Sequence, residues 1–160
     1  MNLEQVYTYL ESLSIAVLAT SSKDGKPYTS PIYFVPDHYL NFFFIAKSDT
    51  KKARDLQQNA NASLTIVDPN QPKTVQTTGR VSKVNDPQLY SYVLKKMSEN
   101  VSQKNKFYWP PPISKIKSVG NLIMYKFQPD WLRVGDFTKT TPEEINTGIF
   151  YQIIPQDNNS

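Results

Sequence analysis

The chain reads as a mainly β (α+β) domain, a closed or half-closed antiparallel barrel of the Greek-key kind with six strands and short flanking helices. Two observations carry this expectation. Runs rich in β-branched and aromatic residues recur along the chain, broken by tight-turn signals such as "KDGK" and "PDH". The strands are not interleaved with long helices, so a parallel crossover sheet is not expected. Closing such a sheet also removes exposed edges.

Each element has its own signal. Leu3, Val6, Leu10 and Leu13 recur at helical spacing and Asn2 with Gln5 fits a capping box, which predicts a helix over 3–13. Strands are expected at 15–21, 27–35 and 39–46, and a short helix at 50–59. "NASLTIVD" is the next strand, and "PNQP" turns the chain into the long alternating run "KTVQTTGRVSKVN". In that run Val75, Thr77, Gly79, Val81 and Lys83 share one face, and Thr74, Gln76, Thr78, Arg80, Ser82 and Val84 share the other. That second face is mostly polar and meets water or a ligand. "DPQLYSYVLKKMSENV" opens with an Asp cap and Pro at the first helical position, with Leu89, Tyr92, Val93 and Met97 as its apolar stripe. Three consecutive prolines in "KFYWPPP" then favour a stiff surface segment. "NLIMYKFQP", extended by "DWLRVGDF", is the sixth strand, and "GIFYQII" can add a short one in the tail. One domain is expected over 1–138, with an insertion at 87–118 and a C-terminal tail at 139–160.

Composition narrows the function. A chain of 160 residues, 39% hydrophobic and 20% charged, can bury a core unaided. The absence of cysteine excludes disulfides, thiol nucleophiles and thiolate metal sites. The single histidine, His38, stands in "VPDHYL" and reads as an exposed turn residue, which argues against metal-triad or Ser-His-Asp chemistry. Glu143 and Glu144 read as solvated, so any catalysis has to be carried by a bound cofactor. A net charge of +4, with scattered basic residues, makes nucleic acid an unlikely partner. The N-terminus has no signal-peptide pattern and no window has the length of a membrane span, so a cytoplasmic protein is expected.

The most informative stretch is "SDTKKARDL", residues 48–56. A helix start carries partial positive charge, yet Lys51, Lys52 and Arg54 crowd it. Without an anion each misplaced cation costs a few tenths of a kcal/mol, up to about 1 at low salt. With a phosphate the sign reverses, because N–H groups, hydroxyls and ammonium groups converge on it. The alternative is a solvated helix whose lysines point away from the cap. Neither "GxGxxG" nor "GxxxxGK[ST]" occurs, so nucleotide folds of those kinds fail.

The ordered set "ATSSKDGKP", "SDTKKARDL", "NANAS" and "GRV" resembles the pyridoxamine-5′-phosphate-oxidase-like, FMN-binding split barrels, over residues 3–87 and 120–137. The resemblance implies FMN, with Lys51, Lys52, Ser48 and Thr50 on its phosphate and Ser30, Pro31, Ile32, Phe44, Ile45 and Ala46 framing the ring. Thr74 and Gln76 would reach the cofactor from a second subunit, which implies a homodimer with the flavin at the interface. Trp131, with Arg133, falls where relatives touch the cofactor; core packing for Trp131 and a solvated Arg133 are the alternative. A flavin-dependent oxidoreductase is implied, taking hydride from a nicotinamide donor or small-molecule substrate, with no catalytic side chain assigned. Tyr33, Tyr108 and Ser30 are possible donors to a flavin edge, and Tyr108 with Trp109 either covers the flavin or plugs an apolar patch. A deazaflavin in place of FMN, and a non-catalytic binding or storage module, stay open. Full-length oxidases carry an Arg and a His near the C-terminus for the vitamin substrate; "PEEINTGIFYQIIPQDNNS" has neither, so oxidation of the vitamin is not expected.

Overall fold

A computed structural model describes residues 1–104, 121–138, 141–146 and 148–155. The elements run α1 (Leu3–Glu11), β1 (Ile15–Ser21), β2 (Pro27–Tyr33), β3 (Val35–Pro36), β4 (Phe42–Lys47), α2 (Lys51–Gln58), β5 (Asn61–Val67), β6 (Lys73–Val84), α3 (Pro87–Lys104), β7 (Leu122–Asp136), α4 (Pro142–Asn146) and β8 (Phe150–Ile154). Among the described residues eight strands form one antiparallel sheet, ordered β2-β1-β5-β6-β7-β4-β3, with β8 also on β7. The sheet curls so that β2 and β4 approach each other without pairing in the ladder, leaving a half-barrel split along that seam.

The expected six strands are all present; β3 and β8 make eight. β3 exists because the chain turns a corner at Phe34: Tyr33 still pairs with β1, whereas Val35 pairs with Phe43 of β4. β4 begins at Phe42 rather than at 39, because Leu40 is fully buried in the left-handed region (φ 60°) and closes a turn. Asp37 organises that turn, its carboxylate accepting from the Tyr39 amide, the Asn41 amide and Asn41 Nδ2 at 2.8–2.9 Å. Asp37→Ala is expected to lower stability by about 1–2 kcal/mol, measured by urea unfolding, with Asp37→Asn recovering part of it. An alanine variant as stable as the parent would mean that Leu40 burial alone holds the turn.

Helix α1 ends at Glu11, two residues before the expected end, and its Asn2–Gln5 capping box forms with both bonds at 2.9 Å. Val6 and Leu10 plug the barrel core beside Leu18, Phe42, Phe127 and Leu132. The alternation expected in β6 is present: Val75, Thr77, Gly79 and Val81 are buried, while Lys83 at the strand end is exposed. Leu89, Val93 and Met97 of the expected α3 stripe face the core, but Tyr92 does not and Leu94 is buried in addition. Val93, Leu94 and Met97 are buried, with Leu89 and Tyr90 packed beside them, and Tyr92 is 51% exposed. These residues form a second core with Phe43, Val35 and Met124, on the opposite face of β4 and β7 from the barrel interior. Tyr108, Trp109 and the triple proline lie outside the described residues.

Candidate functional site

Strand alternation decides what each residue near the seam can offer. On β2, Ser30 and Ile32 are buried and Pro31 between them is exposed. On β4, Phe44 and Ala46 belong to the barrel core together with Ile32, whereas Ile45 packs toward α3. Three consecutive strand residues cannot face the same way, so the six ring-framing candidates divide. Ile32, Phe44 and Ala46 can meet a ligand only through their backbone, and Pro31 alone of the six is exposed. The Ser30 hydroxyl is buried without a hydrogen-bond partner among the described residues, a cost that a ligand or water would relieve.

The seam is closed at one end by α2, which contacts β1, β2 and β4. Its N-cap position is Thr50, whose hydroxyl makes no capping bond to the helix and instead donates to the Lys47 carbonyl at 2.8 Å. The first-turn amides are therefore left without a side-chain acceptor, an arrangement suited to an anion. Ser48 is half-buried, its amide bonded to the Asn121 carbonyl at 2.9 Å.

The three cations of "SDTKKARDL" have different fates. Arg54 donates back to the Asp49 carbonyl at 2.6 Å. Lys51 Nζ binds both carboxylate oxygens of Asp55, at 2.9 and 3.0 Å, and lies 5.2 Å from the centroid of the Tyr28 ring. Asp55 is itself buried, and Thr20 on β1 donates to it at 3.0 Å. Lys52 is half-buried and has no hydrogen bond or ion pair among the described residues.

Asp55, Thr20 and Tyr28 were not foreseen as parts of this site. The Lys51–Asp55 spacing of four was a readable signal, although Lys before Asp is the weaker order on a helix. That Asp55 faces Thr20, 35 positions earlier, depends on how α2 lies on β1.

Burial pulls the Lys52 ammonium below the usual lysine range. The folded state therefore releases this proton at lower pH than the unfolded chain does. Between the two values the unfolded state binds more protons, and stability rises with pH. Lys52→Met is expected to flatten that alkaline rise in urea unfolding followed against pH; an unchanged slope would locate its source elsewhere.

Thr74, Gln76, Trp131 and Arg133 occupy the outer face of the sheet. Arg133 Nε donates to Gln76 Oε1 at 2.9 Å, and its guanidinium lies between Phe150 and Trp131, 4.2 and 5.5 Å from their ring centroids. Register places Pro31, Val17, Thr65, Gln76, Arg133 and Gln152 in one row. Gln76 is three strands from Pro31, about 14 Å at about 4.8 Å per strand, so one chain does not bring Thr74 and Gln76 to the seam. Trp131 is half-buried, its Nε1 donating to Gln152 Oε1 at 3.3 Å.

A half-barrel with an uncapped helix at its seam is one criterion of kinship, and the sequence adds the deciding one. The family model described as pyridoxamine 5′-phosphate oxidase matches residues 3–134. The chain belongs to the pyridoxamine 5′-phosphate oxidase family. Solved structures with this fold include HutZ, the heme storage protein of Vibrio cholerae, at 20% identity over 82% of this chain and 94% of that one, with a TM-score of 0.63. A general stress protein 26-related member of the pyridoxinephosphate oxidase family from Clostridium acetobutylicum is 15% identical over 94% of both chains, with a TM-score of 0.62. A heme binding protein from Mycobacterium smegmatis is 16% identical over 91% of this chain and 60% of that one, with a TM-score of 0.63. No curated protein matches the chain. Pyridoxamine 5′-phosphate oxidase-like proteins often bind flavin and are commonly dimers. Among the described residues no helix is long and apolar enough to cross a membrane.

Proposed function

We propose that this protein binds FMN between two copies of the chain and acts as a flavin-dependent oxidoreductase. The observation that carries the reading is the α2 start, where uncapped amides adjoin a half-buried lysine that has no partner among the described residues. Lys52 and the amides of 51–53 would hold the phosphate, with Ser48 and Thr50 beside them. The unpartnered Ser30 hydroxyl and the β2 backbone would meet the ring. A bound flavin supplies the hydride-accepting ring, while the protein binds it, orients it and excludes water. The cofactor unit is 1–138.

The outer row from Pro31 to Gln152 contains a single charge, Arg133, and Val17 within it is 45% exposed. A sheet face of this kind suits a second copy, which would carry its own Thr74, Gln76 and Trp131 toward the first copy's seam. A deazaflavin would use the same phosphate cradle.

The test is the absorption spectrum of freshly purified protein, followed by mass identification of the released ligand. A yellow protein rapidly bleached by a reduced nicotinamide is expected. A yellow but inert protein favours a flavin-binding or storage module instead. A colourless protein that takes up no FMN overturns the proposal. Heme is the second reading, drawn from HutZ and the Mycobacterium smegmatis protein. The sole histidine, His38, is exposed, 3.9 Å from the Tyr7 ring and 3.6 Å from Glu4, so it offers a ligand without an enclosing pocket. A Soret band would decide for heme.

A further inference from the structure

The cations at the α2 start are not equivalent, because Asp55 engages one and leaves the other. Its carboxylate is buried, held by Thr20 at 3.0 Å and by Lys51 at 2.9 and 3.0 Å. Lys52 follows immediately in the chain, with no protein partner among the described residues. Resting on the phosphate-binding reading above, we infer that Asp55 is a positioning residue that keeps Lys51 neutralised, leaves Lys52 as the direct cation for the phosphate and thereby limits how tightly phosphate esters are held.

A cradle in which Lys51 is tied to Asp55 responds to substitution differently from one in which both lysines hold the phosphate. If Lys51 touched the phosphate, its removal would delete an attraction that no change at position 55 restores. If Lys51 screens Asp55, its removal uncovers a buried carboxylate within one helical turn of the amides. The resulting repulsion then disappears when Asp55 is neutralised as well.

The experiment measures FMN and riboflavin binding to flavin-free protein by fluorescence quenching, the ratio of the two affinities isolating the phosphate. Lys52→Ala is expected to reduce the FMN preference about tenfold or more. Lys51→Ala is expected to reduce it about three- to tenfold, and Lys51→Ala/Asp55→Asn to restore it to within about threefold of the parent. Asp55→Asn alone is expected to raise FMN affinity and leave riboflavin unchanged. A double variant as weak as Lys51→Ala overturns the inference, as does an unchanged preference in Lys52→Ala.

Should the Asp55 variants fail to fold, lysine side-chain NMR of the parent protein titrated with inorganic phosphate gives the same answer. Movement of the Lys52 resonance alone supports the inference; movement of Lys51, or of neither, overturns it. A parent protein that binds phosphate at Lys52 but no flavin defeats the flavin reading and leaves the division between the lysines standing.

Discussion

Replacing Lys51 and Lys52 together with alanine is expected to lower FMN affinity by about 2–4 kcal/mol, roughly 30- to 1,000-fold. On the proposed reading Lys52 would supply a charge-assisted contact, and such contacts contribute about 1.5–3 kcal/mol where the site is shielded. Lys52 is half-buried and has no ion pair among the described residues, so its ammonium would meet an incoming anion without first breaking one. Loss of Lys51 adds the uncovered Asp55 carboxylate, which acts against an anion. Riboflavin, without the phosphate, is expected to lose little. Equilibrium dialysis of both flavins checks this, and undiminished FMN retention in the double variant would remove the anion site from the account.

Gly79→Ala is expected to destabilise the fold by about 3 kcal/mol or more, at the upper end of overpacking costs. At Gly79 the β6–β7 register shifts: Thr78 faces Trp131 and Gly79 faces Pro129, so Asp130 is an extra residue on β7. Pro129 cannot donate to the ladder, which suits it to such a bulge. The β7 backbone closes in on Gly79. A methyl there would collide with the Gln128 carbonyl oxygen and stand 2.9 Å from both its carbon and Pro129 Cα. These are backbone atoms and cannot rotate away, so relief requires reshaping the bulge, where Thr77 and Thr78 donate at 2.6 Å to Trp131 O and Asp130 Oδ1. Chemical denaturation measures the effect; a loss under about 1 kcal/mol would show that the bulge yields readily.

Much of the architecture was legible because its signals are local. The Asn2–Gln5 box, the period of two in β6 and the turn at Asp37 involve residues a few positions apart. Of the candidate site, the concentration of cations at 51–54 was legible, as an oddity of charge against the helix dipole. Their separate fates were not. Read alone, "SDTKKARDL" does not reveal that Asp55 turns inward to Thr20, or that Lys51 follows it. The ring-framing residues were grouped by position along the chain, whereas the pleat sends Ile32 into the barrel and leaves Pro31 outside. In α3 the spacing identifies Leu89, Val93 and Met97 correctly but not Tyr92, because the second core lies on the side of Leu94.

Composition and pattern by themselves determined a small antiparallel barrel without thiol chemistry, with one histidine and an anomalous cluster of cations at a short helix start. Each of these depends on residue identity and near-neighbour spacing. Tertiary structure decided that β7 is shared by β4, β6 and β8, that Gln76 meets Arg133 57 positions away, and that Asp55 engages Lys51 rather than Lys52. Such contacts depend on strand register and helix placement, which the whole core settles together, and the free energy that selects them is distributed over residues far apart in the chain.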